Sequence, residues 1–337
     1  MRFGAAILGV AGPRLTPEEA ALFAETQPFG FILFDRNLEA PEQIRALCDA
    51  LRDSVGREAP ILIDQEGGRV QRLRPPLART WQPPLDEAAR FGETAPEAMR
   101  LRYRIIAQEL RALGIDTNCV PTLDIARPDT HPVLRNRCLG ESLSQVVTLG
   151  RAVVEGTALG GVLPVMKHMP GHGLGTLDSH LDLPRVTAPR EALEETDFAA
   201  FRALADLPLG MSAHLVFEAI DPRPATVSEV MIGLIRDRIG FTGLLMTDDI
   251  SMQALSGTVP ERGVAALQAG CDAVLHCNGD LGEMTALMAR VGEMTPAAQA
   301  RAEAALARRP QPDPVDIASL SAEFEALLTR AAHDRRR

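Results

Sequence analysis

The stretch VLPVMKHMPGHGLGTLDSH, residues 162–180, joins two kinds of chain. Val162–Met166 is a short continuous apolar run, the mark of a strand buried on both faces as in a parallel sheet. From Lys167 to His180 the composition changes: three histidines, a lysine and an aspartate lie among Pro170, Gly171, Gly173 and Gly175. That proline and those glycines exclude a regular helix, so the segment is a loop crowded with titratable groups, where chemistry is usually kept. A helical pattern over 191–204 follows. Buried strand, polar loop, helix: this is one βα unit.

Working outward, the unit recurs along the chain. Apolar runs at 3–9, 29–34, 61–63, within 115–123, and at 210–216, 243–247 and 273–277 read as strands beside 162–166. Helical patterns at 16–26, 41–55, 96–113, 144–160, 191–204, 227–239 and 262–269 separate most of them. Thr16, followed by Pro17 and two glutamates, has the chemistry of a helix start. Further helices at about 281–292, 296–308 and 316–332 end the chain. Eight βα units predict an α/β fold, a closed (β/α)₈ TIM-type barrel. One domain spans 1–337, with the helices of 281–332 packed on it. A doubly wound open sheet is the alternative, but LGVAGPR after the first strand is not GxGxxG. The proline-rich segment 74–93 reads as an irregular excursion.

With 337 residues, 46% of them hydrophobic and 24% charged, the chain has material for a large core. A formal charge of -10 argues against a nucleic-acid binder, which would show a basic face. Cys48, Cys119, Cys138, Cys271 and Cys277 form no CxxC pair and fit reduced thiols of a cytoplasmic protein. The short apolar run after Arg2 reads as a buried strand rather than a signal peptide, and no stretch approaches the ~20 apolar residues of a membrane span. The expectation is a cytoplasmic protein without membrane or nucleic-acid partners, most simply a monomer.

In a barrel, residues at the carboxyl ends of the strands converge on one mouth. Here those are Asp64, Asp124, Lys167, His168, His214, Asp248, Asp249 and Asn278. One of the pair Asp248–Asp249 can act as a nucleophile on an anomeric carbon while the other caps a helix. Asp64 and Arg72 form a structural ion pair, or Asp64 accepts hydrogen bonds from sugar hydroxyls and Arg72 donates them. Gly67-Gly68 is a weak phosphate-loop signal without a P-loop lysine. Asp178 and His180, one residue apart, can pair as a carboxylate–imidazole dyad suited to general acid–base work. A metal site on the loop is the alternative, although Pro170 and Gly171 break the helix that an HxxxH zinc pair needs. His172 is read as structural.

IDQEGGRVQRL (residues 63–73), KHMPGHG…DSH and MTDDISM together resemble glycoside hydrolase family 3. More closely, they resemble its bacterial β-N-acetylglucosaminidases of cytoplasmic peptidoglycan recycling. FGFILFDRN, NCVPTLDIA and VLRNRCLGES fit the same pattern, and the resemblance runs from about residue 4 to residue 280 in the family's order. It implies a retaining exo-glycosidase acting on muropeptide fragments with no metal or organic cofactor. By motif match, Asp248 would be the nucleophile, His180 the acid/base and Asp178 its partner. Asp64, Arg72, Arg137, Lys167 and His168 would hold N-acetylglucosamine. Met169 and Leu139 depart from the pattern, where aromatic residues are expected, and bear on pocket shape rather than chemistry. The rival readings are another family 3 glycosidase, a phosphorolytic enzyme, a sugar-binding barrel without catalysis, and a metal-dependent hydrolase.

Overall fold

The computed structural model describes residues 2–177 and 183–334. Eight strands form a closed barrel: β1 Gly4–Gly9, β2 Pro28–Leu33, β3 Ile61–Ile63, β4 Thr117–Asn118, β5 Leu163–Met169, β6 Leu209–Ser212, β7 Leu244–Asp249 and β8 Ala273–His276. Each strand pairs in parallel with its neighbours in sequence, and β8 closes on β1. Helices surround the barrel, giving a single (β/α)₈ domain.

Alternation along each strand builds two cores. Ile7, Ile32, Leu62, Val165, Met211, Met246 and Leu275 fill the barrel interior. Their neighbours Ala6, Leu8, Phe31, Leu33, Ile63 and Val274 pack outward against the helices. Burial on both faces is why the strands read as continuous apolar runs. Helix Pro296–Ala307 contributes Ala298, Ala302 and Ala305 to the interior cluster, and Met294 just before it donates its N–H to the Phe3 carbonyl at 2.8 Å. This helix therefore stops the amino-terminal end of the barrel with small side chains. The last helix, Ile317–Asp334, docks through Phe324, whose ring meets Trp81 edge-on at 5.3 Å and Phe91 at 5.2 Å.

Local chemistry sets the helix starts. Thr16 Oγ1 accepts the Glu19 N–H at 3.1 Å while Glu19 Oε2 accepts the Thr16 N–H at 2.9 Å, a reciprocal cap before Pro17–Thr26. Several sequence expectations need correction. The excursion 74–93 is not wholly irregular: Pro84 starts a helix, Pro84–Phe91, with Asp86 and Glu87 in its first turn and Arg90 in its last. The helix expected over 191–204 is two, Arg190–Glu195 and Asp197–Ala203, broken at Thr196. β6 ends at Ser212, and Val216–Phe217 instead pairs with Arg185–Val186 in a separate two-stranded sheet.

The strand ends differ most usefully. β5 runs through Lys167 and His168 to Met169, and β7 runs through Asp248 and Asp249, beyond the expected ends at 166 and 247. Both carry a register shift. Met166 pairs with Gly210 and Met169 with Ser212, three steps against two; Met246 pairs with Ala273 and Asp249 with Leu275, again three against two. An extra residue on one strand is a bulge, which re-aims side chains. In a regular strand, consecutive residues face opposite ways. The bulges let Lys167 and His168, and likewise Asp248 and Asp249, share one side.

All five cysteines are buried and free. Among the described residues no helix is long and apolar enough to cross a membrane.

Candidate active site

A cavity of ≈ 200 Å³ opens at the carboxyl end of the barrel. Of the residues expected there, Asp64, Arg72, Arg137, Lys167, His168, Asp248 and Asp249 line it. Asp178 and His180 lie outside the described residues. Asn278 does not line the cavity; its side chain donates to Glu283 at 2.6 Å on the surface. Neither Met169 nor Leu139 lines it. Both are buried, with Met169 reaching Gly210 and Leu139 facing Gly150 of the helix Leu143–Leu159, so the two departures from the motif change packing rather than the cavity wall.

The polar wall is a chain of ion pairs. Lys167 Nζ donates to Asp64 Oδ1 at 2.8 Å and lies 2.6 Å from Glu66 Oε1. Arg72 Nη2 donates to Asp64 Oδ2 at 3.1 Å. Arg137 grips Glu66 in a fork, Nε to Oε2 at 2.9 Å and Nη2 to Oε1 at 2.8 Å. Burial opposes ionisation of Asp64, but Lys167, then Arg72 and Arg137, hold its carboxyl well below the usual carboxylate range. Burial would also lower the Lys167 pKa, yet Asp64 and Glu66 raise it, so the ammonium stays charged. Asp64 and Arg72 thus form an ion pair and also both face the cavity.

His168 Nδ1 donates to Asp124 Oδ2 at 2.7 Å, which turns Nε2 toward Arg137 Nη2, 3.4 Å away. Asp124 spends its other oxygen on the His172 N–H at 2.6 Å. One buried carboxylate therefore fixes both the end of β5 and the start of the loop that follows. His172, with its ring edge-on to His168 at 5.7 Å, is pushed down to a pKa of about 4 by burial and by that neighbour, and is neutral at pH 7. Among the described residues no group of three or more His, Cys, Asp or Glu side chains could hold a metal ion.

The first half of the loop is pinned. A Cβ at Gly173 would lie 2.2 Å from the Ile125 carbonyl, and one at Gly171 2.8 Å from Asp197 Cβ, so these glycines permit close backbone approach. Thr130 Oγ1 donates to the Gly173 carbonyl at 2.5 Å and His131 N–H to that of Gly175 at 3.1 Å. Arg127 ties the same segment to Asp197 at 3.0 and 2.6 Å.

The two aspartates of β7 differ. Asp249 Oδ1 accepts the Ser251 and Cys277 N–H groups at 3.0 and 3.2 Å, and Oδ2 accepts Ser251 Oγ–H at 2.6 Å. Among the described residues, Asp248 accepts one hydrogen bond, from the Asp249 N–H at 2.8 Å. Burial opposes its ionisation, but His168, His214, that N–H and Lys167 together keep its carboxyl below the ordinary value. An ionised carboxylate facing a cavity can attack an electrophile or stabilise a cation.

Sequence reasoning gave no role to Glu66 and placed Asp124 at the mouth without a partner. Both are buried and neither lines the cavity. A second acidic residue two positions after a strand-ending aspartate was the available signal for Glu66.

Residues 6–309 match the model for the glycosyl hydrolase family 3 N-terminal domain. The chain is 42% identical over 288 residues to a beta-hexosaminidase of Alkalilimnicola ehrlichii, covering 82% of each. In structure it resembles NagZ from Neisseria gonorrhoeae in complex with N-trifluoroacetyl-D-glucosamine, with a TM-score of 0.84, 29% identity and 99% and 98% of the two chains covered. It also resembles a glycoside hydrolase family 3 beta-N-acetylglucosaminidase from Paenibacillus sp., with a TM-score of 0.82 and 31% identity over 97% of this chain and 66% of that one.

Proposed function

Because this chain belongs to glycoside hydrolase family 3, we propose that it is a retaining exo-β-N-acetylglucosaminidase that removes the non-reducing terminal sugar of muropeptide fragments. The observation that carries the reading is the pairing of an ionised carboxylate, Asp248, with a wall of fixed donors and acceptors in one cavity. Asp64, Arg72, Arg137, Lys167 and His168 hold the N-acetylglucosamine residue. Asp248 attacks the anomeric carbon while His180, oriented by Asp178, protonates the leaving oxygen. His180 then takes a proton from water, which displaces Asp248 and releases the sugar with retained configuration. Asp249, both of whose oxygens are occupied by the following loop and by Cys277 just after β8, aligns its neighbour rather than reacting.

An imidazole acid/base avoids placing a second carboxylate beside Asp248, where two negative charges would repel. The enzyme acts in the cytoplasm, as a monomer and without a metal or organic cofactor. The similarity to a beta-hexosaminidase and to beta-N-acetylglucosaminidase structures supports the choice of sugar.

The test is release of 4-nitrophenol from the β-N-acetylglucosaminide and from the β-glucoside, each with and without phosphate. Turnover of the first alone, unchanged by phosphate, is expected. Preference for the glucoside, or turnover that requires phosphate, would reject the assignment. His180→Ala is expected to lower kcat by ~10²–10⁴-fold on substrates with poor leaving groups and by much less on activated aryl glycosides, because protonation matters most for a poor leaving group. Equal losses on both would count against the acid role.

A further inference from the structure

Behind the cavity wall, Glu66 holds two of its cations at once. Its side chain is 1% exposed and does not line the cavity. It receives Arg137 Nε at 2.9 Å, Arg137 Nη2 at 2.8 Å and Lys167 Nζ at 2.6 Å. The other end of the residue is clamped as well: its backbone carbonyl accepts Arg102 Nη2 at 2.5 Å and Tyr103 OH at 3.0 Å, both from buried side chains of helix Ala95–Arg111. A Cβ on the next residue, Gly67, would lie 1.9 Å from Arg102 Nη2, so the clamp needs glycine there.

We infer that Glu66 is a positioning residue that sets Lys167 and Arg137 in place for the sugar. The inference rests on the sugar-binding reading of those two side chains. Asp64 also holds Lys167, but it faces the cavity, where sugar hydroxyls compete for its oxygens. Glu66 is out of reach of substrate, so its grip persists when the cavity fills. It also keeps two cations on one wall from repelling each other. Glutamine would be a poor substitute. Its carbonyl can serve Lys167 and Arg137 Nη2, but its NH₂ then meets the Arg137 Nε–H, donor against donor. The guanidinium loses its fork, and with it the fixed orientation that Arg pairs provide.

Steady-state kinetics on 4-nitrophenyl N-acetyl-β-glucosaminide test this. Glu66→Gln is expected to lower kcat/KM by ~10–100-fold, the scale of loss when a positioning contact shifts a binding group by about 1 Å. KM and the inhibition constant of free N-acetylglucosamine should rise together, and Glu66→Asp should recover part of the loss by restoring the charge. In an Arg137→Ala background the same Glu66→Gln change should cost far less, because the residue it acts through is gone. Loss of folded protein would instead lower apparent kcat and leave KM and the inhibition constant alone. That pattern, or an undiminished cost beside Arg137→Ala, overturns the inference. If Glu66→Gln does not fold, Glu66→Asp carries the same comparison. A wild type inactive on this substrate overturns the proposed function and this inference with it; an active wild type with an unaltered Glu66→Gln inhibition constant overturns this inference alone.

Discussion

Asp248→Ala is expected to lower turnover of an aryl β-N-acetylglucosaminide by on the order of 10⁴-fold or more, the scale seen when a covalent nucleophile is removed. The fold should survive. Asp248 is half-buried at the cavity surface, and the change frees one described hydrogen bond, the Asp249 N–H at 2.8 Å, a contact worth ~1 kcal/mol. Near-wild-type thermal unfolding together with lost activity would separate chemistry from stability. A 2-fluoro or 5-fluoro glycosyl fluoride adds a direct readout, because it should leave a mass adduct that peptide mapping places on Asp248. Labelling at Asp249 would contradict the assignment of separate roles to the two aspartates. Absence of any adduct under conditions that inactivate the enzyme would contradict the covalent route.

Lys167→Met is expected to destabilise the protein by ~3–5 kcal/mol, as when one partner of a buried ion pair is removed and the other is left charged. Lys167 is 2% exposed in its side chain, 2.8 Å from Asp64 and 2.6 Å from Glu66. Methionine fills similar volume but answers neither carboxylate. The effect has a predicted pH dependence. Burial alone would raise the Asp64 pKa; Lys167 is the first of the cations that outweigh it and hold the pKa below its unfolded value. Glu66 is likewise lowered, by Arg137 first and then Lys167, against the opposing effect of burial. A depressed carboxyl pKa contributes stability that is present above the unfolded value, about 4, and is lost as pH falls through the folded one. The gap between wild type and variant should therefore be widest near pH 7 and narrow below pH ~4. Urea denaturation at both pH values measures it, and a gap that stays constant would show that Lys167 acts through packing alone.

Most of the barrel strands were readable because they are apolar on both faces (β4, Thr117–Asn118, is buried but polar), and the polar residues that end them were readable as a mouth. Lys167, His168 and Asp248 stood out because a buried strand rarely ends in such groups. Arg137 came only from the family resemblance: it lies on an irregular segment after a short helix, with no periodicity to mark it. The two bulges were not legible, since one extra residue leaves no compositional trace; only pairing against β6 and β8 shows it. Glu66 was hidden for another reason. Its partners lie 71 and 101 positions further on, and only barrel closure brings Arg137 and Lys167 to it. A glycine that lets a chain bend and a glycine that lets two backbones touch look the same in sequence, so the close approach of Gly173 to the Ile125 carbonyl was not legible either.

The helix that stops the amino-terminal end of the barrel makes the cavity a dead end. Its floor is formed by Ile32, Met211 and Leu275 above the alanines of Pro296–Ala307. Everything that enters such a cavity must leave through the same opening. For the proposed reaction, this imposes a queue: the aglycone departs first, water follows it in, and the cleaved sugar leaves last. Free sugar returning to the vacated enzyme then blocks the next substrate, so product inhibition of a competitive kind is built into the architecture.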